Sequence, residues 1–223
     1  MSNRLKTSAP ITTIVFDMDG TVLNTLEDLT ASMNYVLERF GMPGHTLEEY
    51  RLFFGNGAKE ALRLSLPEGT SPDILDDMMP VFKEHYDAHC LDKTGPYDGI
   101  IDLMKELKKR GYKMAIVSNK IDSAVKELHQ RFFADLVDVA LGEKPGINRK
   151  PAPDMVEAAL EELGSTKEES VYIGDSEVDF LTAKNSGLPC ISVLWGFRDK
   201  DYLIEQGAYC FADIPSDIID ILS

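Results

Sequence analysis

Two aspartates, Asp17 and Asp19, stand one residue apart at the end of a β-branched, apolar run in IVFDMDGTVLNT, residues 14–25. Gly20 and Thr21 follow at once. An extended chain puts residues i and i+2 on one side, so the two carboxylates share a side while Met18 points away. Three later segments carry polar groups of complementary kinds. IVSNK supplies Ser118, Asn119 and Lys120, RKPAPD supplies Lys150, and GDSEVD supplies Asp175 and Asp179. Carboxylates gathered in one place repel each other unless something cationic holds them. Mg²⁺ suits such a set, because it takes oxygen ligands, often one or two carboxylates with waters and a substrate phosphate. A lysine and a hydroxyl nearby would hold the remaining phosphate oxygens. The chemistry expected of these residues is phosphoryl transfer with a carboxylate as nucleophile.

That chemistry requires the segments to meet, which depends on the elements that carry them. Residues 11–17 read as a strand buried on both faces. After TGPYDG, residues 94–99, the pattern alternates. Helices are predicted over 100–110, 121–131, 153–163, 177–186, 200–206 and near 215–222. Strands are predicted over 113–117, 136–141, 170–174, 190–194 and near 208–211. This alternation predicts an α/β fold, a Rossmann-like parallel sheet with helices on both faces. Ligands of such sheets bind outside the carboxyl ends of the strands, and the polar segments all sit at such ends.

Residues 22–90 break the alternation. Leu26, Leu29, Met33, Leu37 and Phe40 recur at helical spacing, and Gly41 closes the run. Residues 46–54 and 57–66 read as short helices. Residues 71–89 read as a longer one that Pro80 kinks or divides. A structureless loop of that length does not fit a compact domain. The expected division is an α/β core of residues 1–21 and 91–223 with an all-helical cap, 22–90, inserted after the first strand. Glycines in the turn 55–57 would let backbone approach a ligand closely. Asn56 and Lys59 are the cap's candidates for contact with the non-phosphate end of a substrate.

Each polar segment alone has a plainer explanation. An Asp after a strand often caps the next helix, a serine there often makes a turn, and a lone lysine is usually solvated. The KEE run at 167–169 reads as a solvated helix start. The conjunction of all the segments at one sheet edge is what favours chemistry.

Bulk properties narrow the field. The chain has 223 residues and a net charge of −15. Such a surface repels phosphate backbones, so nucleic acid is not an expected partner. An anionic substrate would need a local positive field from a metal, a lysine or helix N-termini. No apolar run approaches the roughly 20 residues that span a bilayer, and the first ten residues lack the apolar stretch of a signal peptide. The expectation is a cytoplasmic protein with no membrane partner, monomeric or homodimeric. Cys90, Cys190 and Cys210 are widely spaced and read as free thiols, buried or half-buried.

DMDGT (17–21), the serine of IVSN (118), the lysine of RKP (150) and GDSEVD (174–179), in this order, resemble the haloacid dehalogenase superfamily of phosphatases. The resemblance covers essentially the whole chain, and residues 22–90 resemble that family's helical, C1-type cap. It implies that Asp17 attacks phosphorus and forms an aspartyl-phosphate. Asp19 would protonate the leaving alkoxide and then deprotonate the hydrolytic water. Mg²⁺ would be held by the carboxylates of Asp17 and Asp175 and the backbone carbonyl of Asp19. Ser118 would hydrogen-bond a phosphoryl oxygen and Lys150 would pair with the phosphate and Asp17, with Asn119 a further candidate for binding the substrate. Asp179 would lie behind them, fixing Lys150 or a metal-bound water. A second aspartate, here Asp19, favours phosphate-ester hydrolysis or phosphomutase action within the superfamily.

DMDGTVLNTLEDL, FFGNGAKEAL, SNK and WGFRDKDYLIEQGA further resemble the phosphoglycolate phosphatase group. That points to a small phosphorylated metabolite, with 2-phosphoglycolate as the best single substrate. The group often has Asp-Ser where this chain has Asn24-Thr25. Inorganic pyrophosphatase and sugar-phosphate phosphatase or phosphomutase are the alternatives in the superfamily. A non-enzymatic regulatory module is disfavoured, because none of the chemical pieces is missing.

Overall fold

A computed structural model describes Leu5 and residues 9–223. The first elements among the described residues are β1 (Thr13–Phe16) and a two-residue strand β2 (Leu23–Asn24). Four helices follow: α1 (Leu26–Arg39), α2 (Leu47–Phe53), α3 (Ala58–Ser65) and α4 (Leu75–His89). A second short strand, β3 (Gly95–Pro96), leads to α5 (Ile100–Lys109), β4 (Lys113–Ile121), α6 (Asp122–Phe132) and β5 (Val139–Glu143). The rest is α7 (Asp154–Leu163), β6 (Ser170–Gly174), α8 (Glu177–Ser186), β7 (Cys190–Val193), α9 (Lys200–Glu205), β8 (Phe211–Ala212) and α10 (Asp217–Leu222).

Among the described residues, six strands form one parallel sheet in the order β5-β4-β1-β6-β7-β8. Its side chains alternate between two helical layers, as strand geometry requires. Ile14, Phe16, Ile116 and Ile173 pack with Leu103 of α5 and Leu128 of α6. Val15, Val117 and Tyr172 pack with Val156 of α7 and Ala183 of α8. From β1 the chain builds outward through β4 and β5, then returns to add β6, β7 and β8 on the other side. The strand order therefore reverses at β1, and a crevice for ligands opens at its carboxyl end.

Helices α1 to α4 gather around Met33, Leu37, Tyr50, Leu62, Met78 and Phe82. Ala124 at the start of α6 and Phe197 after β7 belong to the same apolar cluster, so these helices pack over the carboxyl end of the sheet. β2 and β3 pair antiparallel and tie the entry to the helical segment to its exit. The buried Asp28 carboxylate adds a clamp, accepting hydrogen bonds from the N–H groups of Lys93 (3.0 Å) and Thr94 (2.8 Å).

The structure corrects the sequence reading at several points. Pro80 does not divide the long helix, because α4 runs continuously through it. Pro80 is exposed, so the carbonyl it deprives of a partner faces water, while Leu75, Met78, Phe82 and Tyr86 secure the other face. The break falls earlier, where a 3₁₀ turn over Pro72–Ile74 precedes α4. Strand 113–117 extends to Ile121, with a register shift between Val117 and Ile121 that takes Ser118, Asn119 and Lys120 out of the regular ladder. The strand expected from 136 starts at Val139, because the N–H groups of Leu136 and Val137 bond back to Phe133 at the exit of α6. All three cysteines are free and buried. Among the described residues, no helix is long and apolar enough to cross a membrane.

Candidate active site

β1 delivers Asp17, whose N–H continues the parallel ladder to the Ile173 carbonyl at 2.8 Å. Asp175 comes from the adjacent β6 and is held by two donors, Thr21 Oγ1 to Oδ1 at 3.0 Å and the Phe197 N–H to Oδ2 at 2.7 Å. Gly20 lies against it so closely that a Cβ there would sit 2.4 Å from Asp175 Oδ2. No side chain fits between these two loops. Asp175 is not the cap of the helix that follows. Ser176 is, and it forms a capping box with Asp179.

Lys150 reaches this cluster from the loop before α7, and its side chain is 2 % exposed. Its Nζ lies 2.6 Å from Asp17 Oδ1, 2.8 Å from Asp179 Oδ1 and 3.1 Å from the Tyr172 hydroxyl. The Tyr172 hydroxyl in turn donates to Asp179 Oδ1 at 3.0 Å. Asn119 fixes the backbone of Lys150. Its Oδ1 accepts from the Lys150 N–H at 2.8 Å, and its Nδ2 donates to the Lys150 carbonyl at 3.1 Å. The Asn119 amide, expected on the substrate, is therefore engaged in holding the lysine loop.

Asp19 faces a second lysine. Lys120 Nζ lies 3.0 Å from Asp19 Oδ1 and donates to the Tyr86 hydroxyl of α4 at 2.7 Å. Ser118 Oγ is 3.4 Å from Asp19 Oδ2 and accepts from the Lys120 N–H at 3.2 Å. Lys120 belongs to the SNK segment, so its place in the sequence was visible. Tyr86 gave no signal, because it shares a helical stripe with Met78 and Phe82 and reads as one more core position.

Burial sets the protonation of the cluster. It raises the Asp17 carboxyl well above the usual range; Asp179 adds to the rise and Lys150 only partly offsets it. Burial and Asp179 push Asp175 up to about 7, against the pull of the Phe197 N–H and Thr21. Burial works against the charge of Lys150, but Asp17 and Asp179 outweigh it and leave its pKa raised. Lys120 is likewise penalised by burial and raised on balance by Asp19 and Tyr86. Both lysines are ammonium ions across the physiological range.

The donor set fits a divalent cation. Carboxylate oxygens of Asp17, Asp175 and Asp179 lie within 4.8 Å of one another. With Asp19 included, four carboxylates face two ammonium groups, which leaves room for two more positive charges. Hard oxygen donors suit Mg²⁺. Asp179 is the poorest ligand of the three. A carboxylate offers about four lone-pair sites, and those of Asp179 already accept from Lys150, Tyr172 and twice from Ser176. Asp175 accepts only one bond on each oxygen.

Above the cluster lies a cavity of about 540 Å³, with Asp17, Asp19, Ser118 and Lys150 at one end and Met33 and Phe82 of the helices at the other. Lys59 borders it, though its ammonium pairs with Asp76 at 2.6 Å. Asn56 does not line it. The Asn56 carbonyl instead accepts from Arg149 Nη1 at 3.3 Å.

An acid-and-lysine cluster at the switch point of a parallel sheet, under a ligand-sized cavity, defines an α/β enzyme. The sequence model of the haloacid dehalogenase-like hydrolases matches residues 14–193, and the chain belongs to that family. It is 31% identical over 220 residues to the pyrophosphatase PpaX of Halalkalibacterium halodurans, covering 95% of this chain and 97% of that one. It is 29% identical over 221 residues to phosphoglycolate phosphatase 1 of Pseudomonas aeruginosa, covering 92% and 78% of the two chains. A crystal structure provisionally described as a phosphoglycolate phosphatase, from Lactobacillus delbrueckii subsp. bulgaricus, superposes with a TM-score of 0.91 at 39% identity, covering 96% and 99%.

Proposed function

We propose that the protein is a Mg²⁺-dependent phosphatase that hydrolyses a small phosphomonoester through a phosphorylated Asp17. The observation that carries this reading is the buried Asp17–Lys150 pair at 2.6 Å at the cavity end, with Asp19 also lining the cavity and an Asp175 oxygen within 4.8 Å of Asp17. An Asp17 oxygen attacks phosphorus, and the bond from phosphorus to the ester oxygen breaks. Asp19 gives its proton to the leaving alkoxide. Lys150 and Ser118 hold the phosphoryl oxygens. Water then attacks phosphorus and gives a proton to Asp19, the Asp17–phosphorus link breaks, and inorganic phosphate leaves. Mg²⁺, held by the carboxylates of Asp17 and Asp175 and the Asp19 carbonyl, would neutralise charge between nucleophile and phosphate. Helices α1 to α4 act as a cap that excludes water from the reacting atoms.

The cavity favours a substrate with a second anionic group. Lys59, Lys83, Lys144 and Arg149 border it in addition to Lys120 and Lys150, outnumbering Asp87 and Glu143, the acids of its wall beyond Asp17 and Asp19, in a chain whose net charge is −15. That supports 2-phosphoglycolate, in keeping with relatives named phosphoglycolate phosphatase. The same cations would also accept pyrophosphate, as relatives named pyrophosphatase suggest. Phosphate release with Mg²⁺ from 2-phosphoglycolate, pyrophosphate and hexose phosphates separates these readings. The highest kcat/KM is expected for 2-phosphoglycolate. A preference for pyrophosphate would replace the substrate and keep the chemistry, and no release from any of them would remove the function.

A further inference from the structure

Three consecutive carbonyls after α2 are met by side chains of the sheet unit. The Phe54 carbonyl accepts from Arg198 Nη2 at 2.8 Å, that of Gly55 from Asn119 Nδ2 at 3.4 Å, and that of Asn56 from Arg149 Nη1 at 3.3 Å. Each donor adjoins a residue of the site. Asn119 follows Ser118, Arg149 precedes Lys150, and Arg198 follows Phe197, whose N–H holds Asp175.

Arg198 makes the strongest of these contacts. The residue is 7 % exposed. Its guanidinium pairs with Glu177 through Nε at 2.7 Å and Nη2 at 3.1 Å. Its Nη1 donates to the Arg51 carbonyl at 2.7 Å. α2 ends at Phe53, so the Arg51 carbonyl is among those the helix leaves without an internal partner. A cation at that end satisfies them and faces the negative end of the helix dipole. The contact is returned, since Arg51 Nη2 donates to the Gly196 carbonyl at 3.2 Å and pairs with Asp199 at 3.1 Å. Gly196 is pressed so tightly on Asp175 that a Cβ on it would sit 2.3 Å from the Asp175 Cβ. Residues 196–199 thus grip α2 on one side and Asp175 on the other.

We infer that Arg198 is a positioning residue that makes the docking of α2 and the orientation of Asp175 a single cooperative event. This rests on the Mg²⁺ site proposed above. Anchoring the loop's other side to α2 helps hold the Phe197 N–H on Asp175. Thermodynamic linkage makes the effect reciprocal. Whatever factor docking adds to Mg²⁺ affinity, Mg²⁺ must add to docking. A purely structural arginine would lower stability without moving Mg²⁺ affinity.

The test compares wild type with Arg198→Lys and Glu177→Gln. Thermal-shift titration reads Mg²⁺ affinity. Hydrogen exchange over residues 47–57, with and without Mg²⁺, reads docking. Trp195, the only tryptophan, donates from its indole to the Thr21 carbonyl at 2.9 Å and reports on the loop by its fluorescence. Mg²⁺ is expected to slow exchange over 47–57 in wild type by about tenfold. Arg198→Lys should weaken Mg²⁺ binding by about tenfold and abolish that protection, and Glu177→Gln should weaken it by about threefold. If Arg198→Lys does not fold, Glu177→Gln carries the test alone. Mg²⁺ affinities within about twofold of wild type in the variants that fold, or exchange over 47–57 that ignores Mg²⁺, would overturn the inference. A wild type that binds no Mg²⁺ would overturn the metal site and this inference together.

Discussion

Lys120 Nζ lies 3.0 Å from Asp19 Oδ1, with the lysine side chain only 5 % exposed. A buried ammonium beside the proposed acid/base fixes where that carboxylate points. Lys120→Met should lower kcat about 10- to 100-fold with p-nitrophenyl phosphate, part of the roughly 10²–10⁴-fold that a positioned acid/base supplies. Tyr86→Phe removes only the hydroxyl at 2.7 Å from Lys120 and should lower kcat/KM no more than about tenfold, the cost of one hydrogen bond. Steady-state kinetics of both variants check this. Equal losses would show that the Asp19 ion pair has no part separate from the Tyr86 contact.

Lys150 is a matter of stability as well as chemistry. It sits between Asp17 and Asp179 with 2 % of its side chain exposed. Lys150→Met leaves two buried carboxylates facing each other. Breaking a buried pair from one side costs about 3–5 kcal/mol. Urea denaturation without Mg²⁺ should show that loss, together with abolished phosphate release. A variant as stable as wild type would mean that the carboxylates had already lost their charge by taking up protons.

Metal and proton compete for the same groups. Asp175 is pushed up to about 7 in the folded protein, against about 3.9 for an unperturbed aspartate. Between those values the native state binds more protons than the unfolded one, so this group's contribution to stability falls as pH rises. The raised Asp17 acts in the same direction. Mg²⁺ removes the penalty by favouring the ionised form. The rise in Tm on adding Mg²⁺, compared with EDTA, should therefore be larger at pH 8 than at pH 5.5. His85, whose pKa is lowered by burial, contributes equally with and without the ion and cancels from that difference. A Tm increment independent of pH would contradict the assignment of these carboxylates as ligands.

The cations around the cavity are expected to act on substrate binding, not on the reacting centre. Replacing both Lys59 and Lys83 by Ala should raise KM for 2-phosphoglycolate about two- to fivefold, the scale of exposed charge pairs. kcat/KM for p-nitrophenyl phosphate, which has no second anion, should stay near the wild-type value. An equal loss for both compounds would mean that these lysines act through the cap and not through the substrate's far end.

The sheet and the floor of the site were legible because each signal was local. β6 is a continuous buried run, and α8 opens on the Ser-x-x-Asp box of Ser176 and Asp179 and ends at Gly187. Asp17, Ser118, Lys150 and Asp175 all sit at strand ends or in loops beside them. What stayed hidden was long-range. β2 and β3 have two residues each, too few to show a period, and they pair across some seventy residues of helix. The continuity of α4 through Pro80 depends on tertiary packing that outweighs local propensity. Asn119 looked like a substrate ligand until the fold brought Lys150, thirty-one residues away, onto its amide. Arg198 gains its role only when α2 lies over the loop after β7.

We propose Asp17 as the nucleophile of a Mg²⁺-dependent phosphatase. Phosphate release from 2-phosphoglycolate and p-nitrophenyl phosphate by wild type and Asp17→Asn, each with and without Mg²⁺, tests it most directly. Wild type with Mg²⁺ should turn over, and removing either the ion or the carboxylate should reduce release to background while Asp17→Asn still melts cooperatively. Undiminished release by Asp17→Asn would mean that Asp17 is not the nucleophile.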